Sequence, residues 1–178
     1  LSRIEKIPPS EESYLLFVGR DDPIKNYPLF KEIAKLAWRE FGLKSIALGV
    51  TRSDEQYLKH KKVPWEEVIS YMKAAHALVI TSKQEGFPTI MLEAWGCGCP
   101  IVARDIPPLR KLAEIHPNSM LLFSSVEDAL SKVSVLNDVE VRERLVTIGQ
   151  ETVKKYDAPT VAEKYYHLYR EVTSLNER

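Results

Sequence analysis

Ala77-Leu78-Val79-Ile80, the loop Thr81-Ser82-Lys83-Gln84-Glu85-Gly86-Phe87, Pro88 with the segment to Gly96, and the run Pro100-Ile101-Val102-Ala103 decide the fold. A short, wholly apolar run reads as a strand buried on both faces. Pro88 suits a helix start, because proline lacks only an N–H that the first turn leaves unbonded. The helix that carries Leu92 then runs to about Gly96, and a second apolar run follows at once. Strand, helix, strand without a hairpin turn is the pattern of a parallel sheet.

Outward from this stretch the alternation continues. Tyr14–Val18 and Ser45–Leu48 read as strands before it, and Met120–Phe123 as a strand after it. Leu29, Ile33, Leu36, Ala37 and Phe41 recur at helical spacing and end at Gly42. Pro64 opens a helix with Val68, Ile69, Met72 and Ala75 on one face. Pro108–Glu114 reads as a short helix. Ser124 with Glu127 reads as a capping box for a helix ending near Leu136, and Asp138 caps another. Pro159 starts a last helix with Val161, Tyr165, Leu168 and Val172 on one side. Ser53 with Gln56 is expected to open a short helical turn. The expectation is an α/β fold: a doubly wound, mainly parallel sheet with helices on both faces. Residues 1–13, polar and carrying Pro8 and Pro9, read as the remnant of an interdomain linker, and 14–178 as one domain that includes the C-terminal helix.

Composition narrows the function. Lys plus Arg and Asp plus Glu both total 25, a balance that argues against a general nucleic-acid binder. No apolar run approaches the roughly 20 residues of a membrane helix. The two cysteines, Cys97 and Cys99, flank one glycine. That spacing supports neither a disulfide framework nor a metal pair, and tight packing at a turn accounts for it better. We read the thiols as reduced and intracellular, and the chain, which opens at Leu1, as a piece of a longer protein.

In doubly wound sheets ligands bind at the carboxyl ends of the strands. After the first strand, Gly19 and Pro23 shape a turn that carries Arg20 and Lys25. A guanidinium fork beside an ammonium suits a diphosphate. Taken alone, this loop reads as a solvated one whose cations neutralise Asp21 and Asp22. After the third strand, Gly86 permits close backbone approach, and the amides of Thr89 and Ile90 at a helix start suit phosphate. Glu85 and Glu93 could face one ligand from two sides, and a carboxylate naturally accepts two hydroxyls of a sugar. The alternative makes Glu85 a solvated loop residue and Glu93 a helix-dipole partner. The basic run Lys59-His60-Lys61-Lys62 reads as a solvated face, with the edge of a phosphate-rich site or an acidic membrane surface as the alternatives. His76 reads as a partly buried hydrogen-bonding residue.

Phe17-Val18-Gly19-Arg20 with Lys25, and Glu85 through Ala103, together resemble the C-terminal half of a retaining glycosyltransferase of family 4, with the GT-B fold. Glu85 and Glu93, with seven residues between them, match that family's paired-glutamate motif, and Arg20 and Lys25 match its cation pair. The resemblance runs from about Tyr14 to Val172.

The resemblance implies a Rossmann-like half of a GT-B enzyme, which binds a nucleotide-diphosphate sugar as donor substrate and needs no cofactor and no metal. Arg20, Lys25 and Glu85 would be catalytic: the cations hold the diphosphate and Glu85 takes hydroxyls of the donor sugar. Glu93 would take the ribose hydroxyls. Gly86, Phe87, Pro88, Thr89 and Ile90 would line the distal phosphate and sugar, and Gly19 and Val63 the nucleotide. Pro88 stands where the family often has a second glycine, which removes one amide. An N-terminal acceptor-binding domain would be missing, so this piece alone is expected to transfer nothing. The cytoplasm is the expected location, with peripheral contact at the inner membrane face in the full-length protein. The alternatives are a GT-B relative with epimerase or phosphorylase chemistry, and a non-catalytic nucleotide-binding module. A dinucleotide-binding domain lacks its G-x-G-x-x-G run here.

Overall fold

A computed structural model describes residues 13–175 of the chain. The expected linker over 1–13 therefore lies, except for Ser13, outside the described residues. In chain order the elements are β1 (Tyr14–Val18), α1 (Tyr27–Phe41), β2 (Lys44–Leu48), β3 (Leu58–Lys61), α2 (Trp65–Ala74), β4 (Ala77–Ile80) and α3 (Thr89–Cys97). They continue with β5 (Ile101–Arg104), α4 (Pro107–Ile115), β6 (Leu121–Phe123), α5 (Val126–Val135) and α6 (Val139–Val153). A 3-10 turn (Lys154–Tyr156) then leads into α7 (Ala158–Leu175).

The six strands form one sheet in the order β3-β2-β1-β4-β5-β6, and every neighbouring pair is parallel. The strand period of two sorts the side chains. Tyr14, Leu16, Leu78, Ile80, Ile101 and Ala103 enter one core, against Met72 of α2, Trp95 of α3 and Leu109 of α4. Leu15, Phe17, Ala77, Val79 and Val102 enter the other, against Phe30 of α1 and Val133 of α5. Burial on both faces is why these strands are continuous apolar runs in the sequence. The chain reverses direction across the sheet between β1 and β4, where Leu15 pairs with Ala77 and Leu16 with Leu78. Such a switch point leaves a crevice at the strands' carboxyl ends.

Two expectations need correction. The sequence reading missed β3: there is no helical turn at Ser53 and Gln56, and the basic run is an edge strand rather than a plain solvated face. Leu58 is buried, and the His60 side chain is only 2% exposed against the Tyr27 hydroxyl. Lysines between such residues hide a strand from an apolar-run criterion, yet charge is common on sheet edges. The cap of α5 is Ser125, whose hydroxyl accepts the Asp128 amide, while Asp128 in turn accepts the Ser124 amide. The box is thus shifted by one residue from Ser124 and Glu127. The side of α7 that carries Tyr165, Leu168 and Val172 is about half exposed.

Glycine is required where backbones nearly touch. Gly49 has φ +88°, and a Cβ there would meet the Gly19 carbonyl oxygen at 2.7 Å. The turns after β1 and β2 are thereby held together, with the Gly19 amide donating to the Leu48 carbonyl. Gly149 of α6 lies flat on the indole of buried Trp95, where a Cβ would come within 2.6 Å of Cδ1. Gly149→Ala gains about 0.5–1 kcal/mol of helix propensity. Overpacking against a rigid ring costs about 1–3 kcal/mol, so it wins. Chemical denaturation should show a net loss of stability, and an unchanged or raised midpoint would contradict this packing.

Candidate functional site

The crevice at the β1–β4 switch point is bordered by the loop after β1, the loop after β4 and the start of α3. The first loop is built by Asp22, whose Oδ1 accepts the amides of Ile24 and Lys25 at 2.9 Å each. Those bonds, the Lys25 amide foremost, hold its carboxyl below the usual range. Asn26 then adopts a left-handed backbone and starts α1. The two loops are tied directly. The Lys83 amide donates to the Ile24 carbonyl at 2.8 Å, and the Thr81 hydroxyl donates to the Lys25 carbonyl at 2.9 Å.

Their side chains meet as well. Lys25 Nζ lies 2.7 Å from Glu85 Oε1, and the Ser82 hydroxyl donates to the same oxygen at 2.6 Å. The Glu85 side chain is 11% exposed, so the pair is largely removed from water. An ammonium has three N–H bonds, and Lys25 can keep Glu85 while donating to an anion. Arg20 is different. Its side chain is 87% exposed and, among the described residues, pairs with Asp22 at 3.5 Å. Such a pair in water holds the arm loosely, so the guanidinium is free to close on a ligand.

Pro88 is the residue before the first turn of α3, and the Met91 amide already bonds back to its carbonyl at 3.0 Å. Thr89 and Ile90 therefore stand at the helix N-terminus, where amides have no carbonyl within the helix to bond and the dipole favours an anion. Glu93 follows one turn on. Its Oε2 is buried and has no hydrogen-bond partner among the described residues, and burial raises its carboxyl above the ordinary glutamate value. An unpaired buried acceptor is destabilising until something donates to it.

The structure thus brings together Gly19, Lys25, Glu85, Gly86, Phe87, Pro88, Thr89, Ile90 and Glu93 around the strand ends or on α3, with Arg20 at the mouth. Val63, between β3 and α2, packs half-buried on the α2-side core. Sequence reasoning missed Asp22, Thr81 and Ser82. Asp before Pro is a turn signal that pointed to the first, whereas Thr81 and Ser82 carry no signal beyond following a strand. Cys97 and Cys99 behave as packing residues, and burial pushes the Cys99 thiol up to about 12. His76 bonds the Val133 carbonyl at 3.1 Å and is kept toward neutral by burial. Among the described residues, no three His, Cys, Asp or Glu converge as a metal-ligand set, and no helix is long and apolar enough to cross a membrane.

Comparison with known proteins gives this geometry a context. The model of the family described as "Glycosyl transferases group 1" matches residues 2–152. Phosphatidyl-myo-inositol mannosyltransferase of Mycobacterium leprae is 26% identical over 180 residues, covering 92% of this chain and 48% of that protein. The chain therefore spans about half the length of this relative. Sucrose-phosphate synthase from Thermosynechococcus elongatus superposes with a TM-score of 0.76 at 21% identity, over 94% of this chain and 47% of that one. Anabaena Alr3699/HepE in complex with UDP does so with a TM-score of 0.76 at 17% identity, over 90% and 49%.

Glu93 makes a stability prediction. A carboxyl whose folded-state value is raised holds its proton more tightly in the folded chain, so it lowers stability as pH rises from the ordinary glutamate value upward. Without ligand, Glu93→Gln should melt at or above the wild type at pH 7.5. Its advantage should fade toward about pH 4, near the ordinary glutamate value. A variant that melts well below the wild type at neutral pH would make Glu93 a structural acceptor.

Proposed function

Since the chain belongs to the glycosyl transferases group 1 family, we propose that it is the donor-binding, C-terminal half of a retaining, family 4 hexosyltransferase. In this reading the domain spans 14–178 and its donor is a nucleotide-diphosphate sugar. The observation that carries the proposal is Glu93: a buried, unpartnered carboxylate oxygen one turn behind the start of α3, at the switch point of the sheet. A ribose supplies the hydroxyl donors that this acceptor lacks, and that places the diphosphate ahead of it at the helix N-terminus.

In this reading the residues take the following roles. The first-turn amides of Thr89 and Ile90 take the distal phosphate, Lys25 donates to the diphosphate, and Arg20 closes over it from solvent. Glu85, oriented by Lys25 and Ser82, accepts hydroxyls of the sugar. When the bond from the anomeric carbon to the phosphate oxygen breaks, the electron pair leaves with the diphosphate. Fixed cations and a helix N-terminus stabilise that charge without reorganising. This arrangement does the work a divalent metal does elsewhere, so no metal is assigned. Gly19, Gly86, Phe87, Pro88 and Val63 line the nucleotide and sugar. The acceptor site belongs to an N-terminal domain, and the isolated half binds donor without transferring sugar. The mycobacterial relative's name specifies mannosyl transfer, in keeping with a hexosyl donor. UDP in the Anabaena structure fits a nucleotide in the crevice. The full-length enzyme is placed in the cytoplasm, with peripheral contact at the membrane face.

Arg20→Ala should weaken nucleoside-diphosphate binding by about 1.5–3 kcal/mol, the scale of a charge-assisted hydrogen bond, and leave nucleosides unaffected. Calorimetry with UDP, GDP and their nucleosides reads this, and equal losses for both would remove Arg20 from the diphosphate. Glu85→Ala in the full-length enzyme should lower kcat by at least about a hundredfold, the scale of a misplaced reacting group. It should retain most of its affinity for the free nucleoside diphosphate. Normal turnover would leave Glu85 a loop residue. Turnover should also survive EDTA, and its loss with recovery on Mg2+ or Mn2+ would overturn the metal-free reading.

A further inference from the structure

Phe87, which lines the proposed donor site, is joined by three groups that the proposed chemistry does not use, Tyr156, His116 and Trp95, in a closed circuit around α3. Phe87, in the loop ahead of α3, is 43% exposed and packs on the ring of Tyr156, with centroids 5.3 Å apart and planes at 41°. The Tyr156 hydroxyl lies 2.7 Å from Nε2 of His116, a buried residue that ends α4. The His116 ring stands edge-on to Trp95 of α3, with centroids 6.1 Å apart. Trp95 is itself fixed by donating Nε1–H to the Ser119 carbonyl at 2.8 Å, and Gly149 of α6 lies against its pyrrole ring. Tyr156 closes the circuit, because its 3-10 turn continues directly from α6. Burial, with Lys155 nearby, keeps the His116 imidazole toward its neutral form, in which it pairs with a phenol at no ionic cost.

The loop from Glu85 to Pro88 has two anchors and a hinge. Glu85 is held by Lys25 and Ser82 on the inner side. Gly86 has open space where a side chain would stand, with no described atom within 4 Å of a Cβ placed there. Phe87 is the outer anchor, and Tyr156 is its partner.

We propose that Tyr156 is a positioning residue of the donor site, which fixes Phe87 and thereby sets the first-turn amides of α3 against the diphosphate. The proposal rests on the donor-site reading above, but its structural half stands without a ligand. An unrestrained loop would have to be ordered on binding, and that ordering lowers affinity. The circuit removes the requirement by building the order into the fold, through a helix that follows the site by some fifty residues.

The test compares Tyr156→Leu, Tyr156→Phe, Phe87→Leu and the Phe87/Tyr156 double variant in the full-length protein. Two readouts are taken: hydrogen exchange of the amides from Met91 to Glu93 without ligand, and affinity for UDP and GDP against uridine and guanosine. Tyr156→Leu should speed exchange in this turn and raise the diphosphate Kd, each by about fivefold, the scale of one aromatic pair. Nucleoside affinity should hold. Tyr156→Phe keeps the ring and should rescue most of both losses. The double variant should be no worse than the poorer single one. Unchanged exchange, fully additive losses, or equal loss for diphosphates and nucleosides would overturn the proposal. If the wild type bound no nucleoside diphosphate, the functional reading would fail, and exchange in the first turn of α3 would still decide the role of Tyr156.

Discussion

The contact between Lys25 and Glu85 is the constraint on which the site depends. The two residues are 60 positions apart, on loops that leave β1 and β4 in opposite directions across the sheet. Parallel pairing of Leu15 with Ala77 brings the strand ends together, and the ion pair then joins the loops above them. The backbone follows the same seam, through the Ile24 carbonyl with the Lys83 amide and the Lys25 carbonyl with Thr81. A largely buried pair is costly unless its remaining valences are met. Ser82 meets one of them on the glutamate. The crevice is therefore pre-formed, with the Lys25 ammonium and the Glu85 carboxylate held at the same point.

The two glutamates of the motif are in opposite states. Glu85 has its partners within the chain, whereas Glu93 has a buried oxygen with none. One is an oriented acceptor and the other an unmet demand. That asymmetry could not be read from two identical letters with seven residues between them. It also means that the fold carries a local instability at Glu93, where a buried acceptor has no donor among the described residues.

Much of the fold was legible because burial on both faces writes a strand as a continuous apolar run. Tyr14–Val18 and Ala77–Ile80 declare themselves in this way, and prolines and glycines mark the helix ends between them. β3 escaped because an edge strand needs few apolar side chains: Leu58 and His60 point inward between lysines. The cap of α5 escaped by one residue, since Ser124 and Ser125 both head an acceptable spacing and only the backbone chooses between them. In the site, the motif positions were legible by type. What was hidden was pairing: Lys25 with Glu85, Asp22 with the turn it builds, and Phe87 with Tyr156 are contacts between segments far apart or without periodicity. Residue spacing encodes a helix face or a strand face, but not which loops a topology brings together.

The most direct measurement is an amide chemical-shift map of the chain titrated with UDP and with GDP. The account predicts that the largest perturbations fall in two segments, residues 19–26 and 85–93, with Thr89 and Ile90 shifting downfield as their amides gain a phosphate acceptor. Perturbations centred on the β2–β3 edge around Arg52 and His60, with residues 85–93 unmoved, would contradict the placement of the diphosphate at the switch point.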